Sequence, residues 1–245
     1  MNARIRMVIV FITFKNILML KNYYWIIELI AIIAIFTITL QTILYIGSNS
    51  YSELFWGFVV NVIACVCFLL FAIYKLTKKN TAGIRSIGFY LKRRFLFKDI
   101  LNVLLIVIVG PITYGLIMKI EVVRIFGLTG LSYHMHLTSS ESLSMLFLYT
   151  LFIPVVAFSE ELYFRCYLFD IQSKQFKQFT WIINGLSWSI YHLFTVTNFL
   201  ALLPTCLLYS YVYQRRKNIW ITISAHLITI TIALYPLIRI YISNI

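Results

Sequence analysis

Glu160 and Glu161 stand side by side in the stretch Ser159-Glu160-Glu161-Leu162-Tyr163-Phe164-Arg165, at the end of the apolar run Leu146 to Phe158. The chain has only eight acidic residues, and two of them are here. An ionisable side chain within a membrane-spanning segment costs about 2.5 kcal/mol or more and is read first as functional. Helix geometry separates the two carboxylates. Glu161 and Arg165 are four apart and stack on one face. In a low dielectric that pair largely neutralises itself, which favours a structural role for Glu161 and Arg165. Glu160 is rotated away by about 100° and faces another helix. A lone buried carboxylate of that kind suits general acid or base work.

Two histidines join it. His192 lies on the next apolar segment and His226 on the last. At about 1.5 Å of rise per residue, Glu160 lies about 14 Å from one helix end, His192 about 20 Å deep and His226 about 10 Å deep. All three enter from the same side, so they can converge. A histidine near Glu160 can share its proton and a water, and His226 can donate to a developing oxyanion. Taken singly, either histidine reads equally well as a helix–helix hydrogen bond. Four titratable groups on three successive segments shift the reading to function, although a proton or ion pathway would use the same groups. Cys166 is close in sequence, but nothing around it suggests an activated thiolate.

The elements that position these groups follow from composition. The chain has 245 residues, 61% hydrophobic and 12% charged, with a mean hydropathy of +0.89. A soluble domain carries about a quarter charged residues. The net charge of +13 is spread in short runs between apolar segments, as in cytoplasmic loops facing an anionic leaflet, and this argues against nucleic-acid binding. Cys65, Cys67, Cys166 and Cys206 all lie in apolar stretches and read as packing residues. The fold class is therefore an all-α polytopic membrane protein, with about seven or eight membrane-embedded helices around a polar site.

Residues 1–25 read as an uncleaved, partly interfacial segment. Spans are expected over Ile26 to Ile46, with Glu28 snorkelling at one end, and over Leu54 to Tyr74. Lys75, Lys78, Lys79, Arg85, Lys92, Arg93, Arg94 and Lys98 then mark the cytoplasm, with Ile84 to Phe97 on the membrane surface. The next span is Ile100 to Met118, kinked at Gly110 and Pro111. Lys119 to Ser142 is an outer loop, whose His134 and His136 lack a third metal ligand. Leu143 to Phe169 and Phe179 to Phe199 are spans, joined through a cytoplasmic return at Asp170 to Gln178. Leu200 to Tyr213 is a short or tilted span around Pro204; Arg215, Arg216 and Lys217 return to the cytoplasm, and Ile219 to Ile242 is the last span. The chain is read as a single integral membrane domain over 1–245, with its motifs in 143–235.

These residues resemble a known family. Glu160-Glu161-Leu162-Tyr163-Phe164-Arg165 is similar to the Glu-Glu-x-x-x-Arg motif of the CPBP (Abi) family, the CAAX proteases and bacteriocin-processing intramembrane proteins. Trp188-Ser189-Ile190-Tyr191-His192 matches the Phe-x-x-x-His motif with Trp for Phe, and His226 matches the His of the His-x-x-x-Asn motif. The resemblance covers about residues 84–235. It implies a helical bundle of about eight helices around a cavity open to the cytosol and lipid. It implies a glutamate-dependent endopeptidase in which Glu160, with His192, activates water, and His226 stabilises the oxyanion. No covalent intermediate, cofactor or metal is implied, and a zinc site of one Glu and two His ranks lower. The substrate would be a membrane-associated peptide or protein, and the amino-acid usage suggests a bacterial plasma membrane.

Ile230 stands where the third motif has Asn. Its part falls either to Thr229, on the face of His226, or to Asn184, two turns before His192. Alternatively the chain is a non-catalytic immunity or scaffold protein. A transporter is a third reading, for which inverted halves would be the sign, and none is seen.

Overall fold

The computed structural model describes residues 24–34, 51–79, 90–117, 119, 139–192, 199–233 and 242. Among them every regular element is helical. In chain order these are α1 (Tyr24–Ala34), α2 (Tyr51–Lys79) and α3 (Phe97–Ile117). Then come α4 (Ser139–Glu161), a π-helical segment (Leu162–Leu168), α5 (Phe169–Phe176) and a 3-10 turn (Lys177–Phe179). The last three are α6 (Thr180–Tyr191), α7 (Phe199–Arg216) and α8 (Ile219–Ala233).

Among the described residues two stretches are long and apolar enough to cross a membrane, Phe97–Ile117 and Leu146–Tyr191. The first has a mean hydropathy of 2.4, yet only 17% of it is buried inside the protein. Leu101, Leu104, Leu105, Ile108, Ile112 and Leu116 all stand outward. So long an uncovered aliphatic face is a liability in water and is satisfied by hydrocarbon.

Several expected boundaries move. The helix expected to end at Phe169 continues through the π segment to Phe176, taking Asp170 with it. Helix α6 ends at Tyr191 after 12 residues, so the described part of Phe179 to Phe199 is shorter than a span. Helix α7 takes Pro204 into its interior and runs on to Arg216. Glu28 pairs with Lys75, and the Tyr167 hydroxyl donates to its Oε2 at 3.0 Å. An acid that finds a cation and a phenol inside the bundle has no reason to reach for the interface. His134 and His136, and the outer part of the last expected span, lie outside the described residues.

Close helix approach sets the frame of the site. Helix α6 packs on α7, α7 on α3, and α8 on both α3 and α4. At Gly185 a Cβ would lie 2.8 Å from Leu207 Cα, so only glycine lets α6 and α7 meet this tightly. At Gly110 a Cβ would lie 3.0 Å from Thr205 Cγ2, and Thr205 Oγ1 donates to the Gly110 carbonyl at 3.2 Å. That bond ties α7 to α3 beside Pro111, where the helical ladder lacks a donor. Helix α7 stops at Lys217, whose φ of 51° is left-handed and whose N–H donates to the Tyr213 carbonyl at 2.7 Å. This is the αL helix stop with lysine in the place usual for glycine.

Candidate active site

The π segment is where the helix carrying the carboxylates changes pitch. All seven residues, Leu162 to Leu168, are buried. One-sided packing of an α-helix would bury about half of its residues. Here α2, α6 and α8 all close on the segment, and the wider turn aims side chains at each of them. Single π turns of this kind recur at functional sites. Phe68 and Phe71 of α2 cover Tyr163, while Phe164 meets Trp188 and Tyr191 of α6.

Glu160 is the last residue but one of α4 and only 5% exposed. The Trp188 indole N–H donates to its Oε2 at 2.7 Å. His192 Nε2 lies 3.6 Å from the same oxygen, and His226 Nε2 lies 4.0 Å from it. Trp188 of α6, His192 at its end and His226 of α8 thus meet on one carboxylate oxygen. His192 follows the end of α6 with φ −80° and ψ 0°, the bridge conformation often found in active sites.

Glu161 is turned to other partners. Its Oε1 lies 3.2 Å from His226 Nδ1, and its Oε2 lies 3.4 Å from Arg165 Nε. The second distance is in ion-pair range but outside hydrogen-bond geometry. The expected Glu161–Arg165 pair is therefore present, but Glu161 is shared with a histidine of the site. With Glu161 accepting from Nδ1–H, a second proton on Nε2 makes the His226 ring a donor toward Glu160 and toward anything bound beside it.

Arg165 is fully buried. Its Nη1 donates to Asn184 Oδ1 at 2.9 Å, and its guanidinium lies 4.3 Å from the centroid of the Trp188 ring. Asn184 is fully committed: its Nδ2 donates to the Phe164 carbonyl at 2.8 Å and to Gln172 Oε1 at 3.0 Å, and Ser210 donates to its Oδ1 at 3.0 Å. Gln172 in turn donates to Ser187 at 3.0 Å. Asn184 therefore holds Arg165 and the turn of the π segment, not an oxyanion near His226. Thr229 donates to the Ala225 carbonyl at 2.8 Å and stands 3.3 Å from the Tyr209 hydroxyl.

Sequence reasoning did not single out Gln172, Ser187, Ser210 or Tyr209. Ser187 and Ser210 are polar groups in apolar helices, a signal that was there to read, but that Gln172 and Ser210 would both meet Asn184 depended on the packing between helices. Trp188 was noted as a motif exchange, and its N–H was not counted as a donor. Among the described residues no group of three or more His, Cys, Asp or Glu side chains has the arrangement of a metal site.

Residues 141–232 match the family model described as Rce1-like, Type II CAAX prenyl endopeptidase Rce1-like. That segment is of the CPBP, or CAAX-protease, family. It contains Glu160, Glu161, Arg165, Trp188, His192 and His226, while Phe68 and Phe71, which cover Tyr163, lie before it. No curated protein and no solved structure matches the chain. The match thus puts a peptidase family's sequence on a helical frame in which, among the described residues, two stretches are long and apolar enough to cross a membrane.

Proposed function

We propose that this chain is a polytopic intramembrane endopeptidase, dependent on glutamate and not on a metal, that hydrolyses a membrane-associated peptide or protein in a bacterial plasma membrane. The observation that carries the reading is the meeting of Trp188, His192 and His226 on Glu160 Oε2, at 2.7, 3.6 and 4.0 Å. A purely structural carboxylate is saturated by fixed donors. Glu160 instead faces two imidazoles, which can accept, carry and return protons.

The steps assign themselves to the side chains. Glu160, with His192, takes a proton from water as the water oxygen bonds to the scissile carbonyl carbon. Nε2–H of His226, held by Glu161 at Nδ1, donates to the oxyanion. On collapse the C–N bond breaks, and the proton held by Glu160 and His192 passes to the leaving nitrogen. Arg165, fixed by Asn184 and stacked on Trp188, holds Glu161 in place and touches no reacting atom.

The test is cleavage of host membrane-peptide extract by the purified chain in liposomes, read by mass spectrometry. Wild-type protein yields fragments; Glu160→Gln yields about a thousandfold less, within the range of a lost general base. Full activity in Glu160→Gln would overturn the reading. A second reading, a non-catalytic immunity or scaffold protein, is favoured by one observation. Both residues able to replace the missing Asn, Thr229 and Asn184, are held by other partners. It predicts a phenotype that survives Glu160→Gln at normal protein level.

A further inference from the structure

A second polar assembly lies away from the Glu160 site, where the start of α3 meets the turn between α7 and α8. A cavity of about 330 Å³ there is lined by Arg93, Arg94, Leu96, Lys98, Asp99, Arg216 and Asn218. Asp99 is buried and its oxygens are filled. Arg216 donates to Oδ1 through Nε and Nη2, while the Leu96 N–H and Asn218 Nδ2 donate to Oδ2 at 2.9 and 3.1 Å. Asn218 also donates to the Arg94 carbonyl at 3.2 Å, and Arg93 donates to the Arg216 carbonyl at 2.7 Å. The walls are thus bolted together before any ligand arrives.

Four cationic side chains line the cavity against one carboxylate, an excess of three positive charges. The carboxylate is consumed by Arg216, Asn218 and the Leu96 N–H, which leaves Arg94 and Lys98, both exposed, among the cationic residues that line the cavity. Directly beside them Phe95, Leu96 and Phe97 are exposed, Phe97 by 85%. An aromatic and aliphatic tip next to a cationic cavity, at the foot of a helix whose outer face is bare hydrocarbon, is the layout of a bilayer's phosphate level. A solvated basic loop would explain the charges, but not the adjoining apolar residues or the concave, braced floor that Asp99 and Asn218 provide.

We propose that this cavity binds the phosphate of an anionic phospholipid headgroup, with Arg94 and Lys98 as the principal phosphate contacts and the acyl chains lying along Phe97 and the outer face of α3. The bound lipid would clamp the α3 start to the α7–α8 turn. The site is independent of peptide hydrolysis, and its test uses no cleavage.

The full chain, purified in detergent, is titrated with phosphatidylglycerol or phosphatidylcholine, and retained lipids are counted by native mass spectrometry. Wild-type protein retains one phosphatidylglycerol more tightly than the rest and shows no such preference for phosphatidylcholine. Arg94→Gln with Lys98→Gln weakens that lipid by about fivefold per charge, about 25-fold together. A control pair, Lys78→Gln with Lys174→Gln, removes the same charge from other exposed helix positions and leaves the tight lipid in place. Equal loss in both double variants would mean a diffuse basic surface and overturn the site. Displacement of the lipid by millimolar inorganic phosphate alone would assign the cavity to free phosphate and overturn the lipid reading. Both cationic residues are exposed, and an unchanged melting temperature separates lost binding from lost fold.

Discussion

Asp99 and Glu160 are both buried carboxylates among cationic or potentially cationic partners, and they are built in opposite ways. Asp99 accepts from a backbone N–H, a guanidinium and a carboxamide, none of which changes protonation in the working pH range. Glu160 accepts from one indole N–H and otherwise faces two imidazoles, the side chains that do change. A carboxylate saturated by permanent donors is a bolt. A carboxylate surrounded by groups that exchange protons is equipped for the hydrolysis proposed above. The same residue class serves both ends of the protein, and the neighbours decide which.

The contrast breaks most readily at the two acids themselves. Glu160→Gln removes hydrolysis about a thousandfold and moves the melting temperature little, since glutamine can still accept from Trp188. Asp99→Asn does the reverse. It leaves Arg216 facing a neutral group and costs about 3 kcal/mol of stability, read as a lower melting temperature in detergent, while cleavage per folded molecule is unchanged. If Glu160→Gln melts as early as Asp99→Asn, the two sites are one kind and the contrast fails.

Gly185→Ala tests the frame under the reaction centre. Its Cβ meets the Leu207 backbone at 2.8 Å, so α6 must move off α7 at about 2 kcal/mol. Because α6 carries Trp188 and leads into His192, cleavage falls together with stability; a fall in stability alone would show that the site tolerates displacement of α6. Trp188→Phe is the finest test. It restores the family's usual residue, keeps the ring and deletes the N–H donated to Glu160. Loss of one hydrogen bond to a charged group, about 1.5 kcal/mol, lowers kcat about tenfold, and the pH profile of cleavage shifts with it. An unchanged profile would reduce Trp188 to packing.

Much of the site was legible before any coordinates. The apolar runs announced helices, and an ionised trio inside one of them announced chemistry. The spacing of Glu161 and Arg165 separated their role from that of Glu160, because i and i+4 share a face whatever the surroundings. The resemblance over the three motifs implied a peptidase family, and the family model over 141–232 supports that family. The helix ends were less legible. Asp170 looked like a loop residue but stays helical, because the Tyr90 hydroxyl donates to it across the bundle at 2.5 Å. Glu28 looked like a snorkelling end but is paired internally.

The amino-acid order by itself therefore determined which residues are polar inside apolar segments, which of them share a helix face, and which family the motif-bearing segment resembles. These are properties of period and composition, local along the chain. Only the tertiary structure decided that Glu161 is shared between Arg165 and His226, that Asn184 serves Arg165 and no oxyanion, and that Trp188 holds Glu160. Each of those contacts joins residues at least nineteen apart, apart from the Glu161–Arg165 pair, and runs between helices. Its partner is chosen by the pitch change at the π segment and by the close approach of α6 to α7 at Gly185. Neither a helical period nor a hydropathy pattern carries that information.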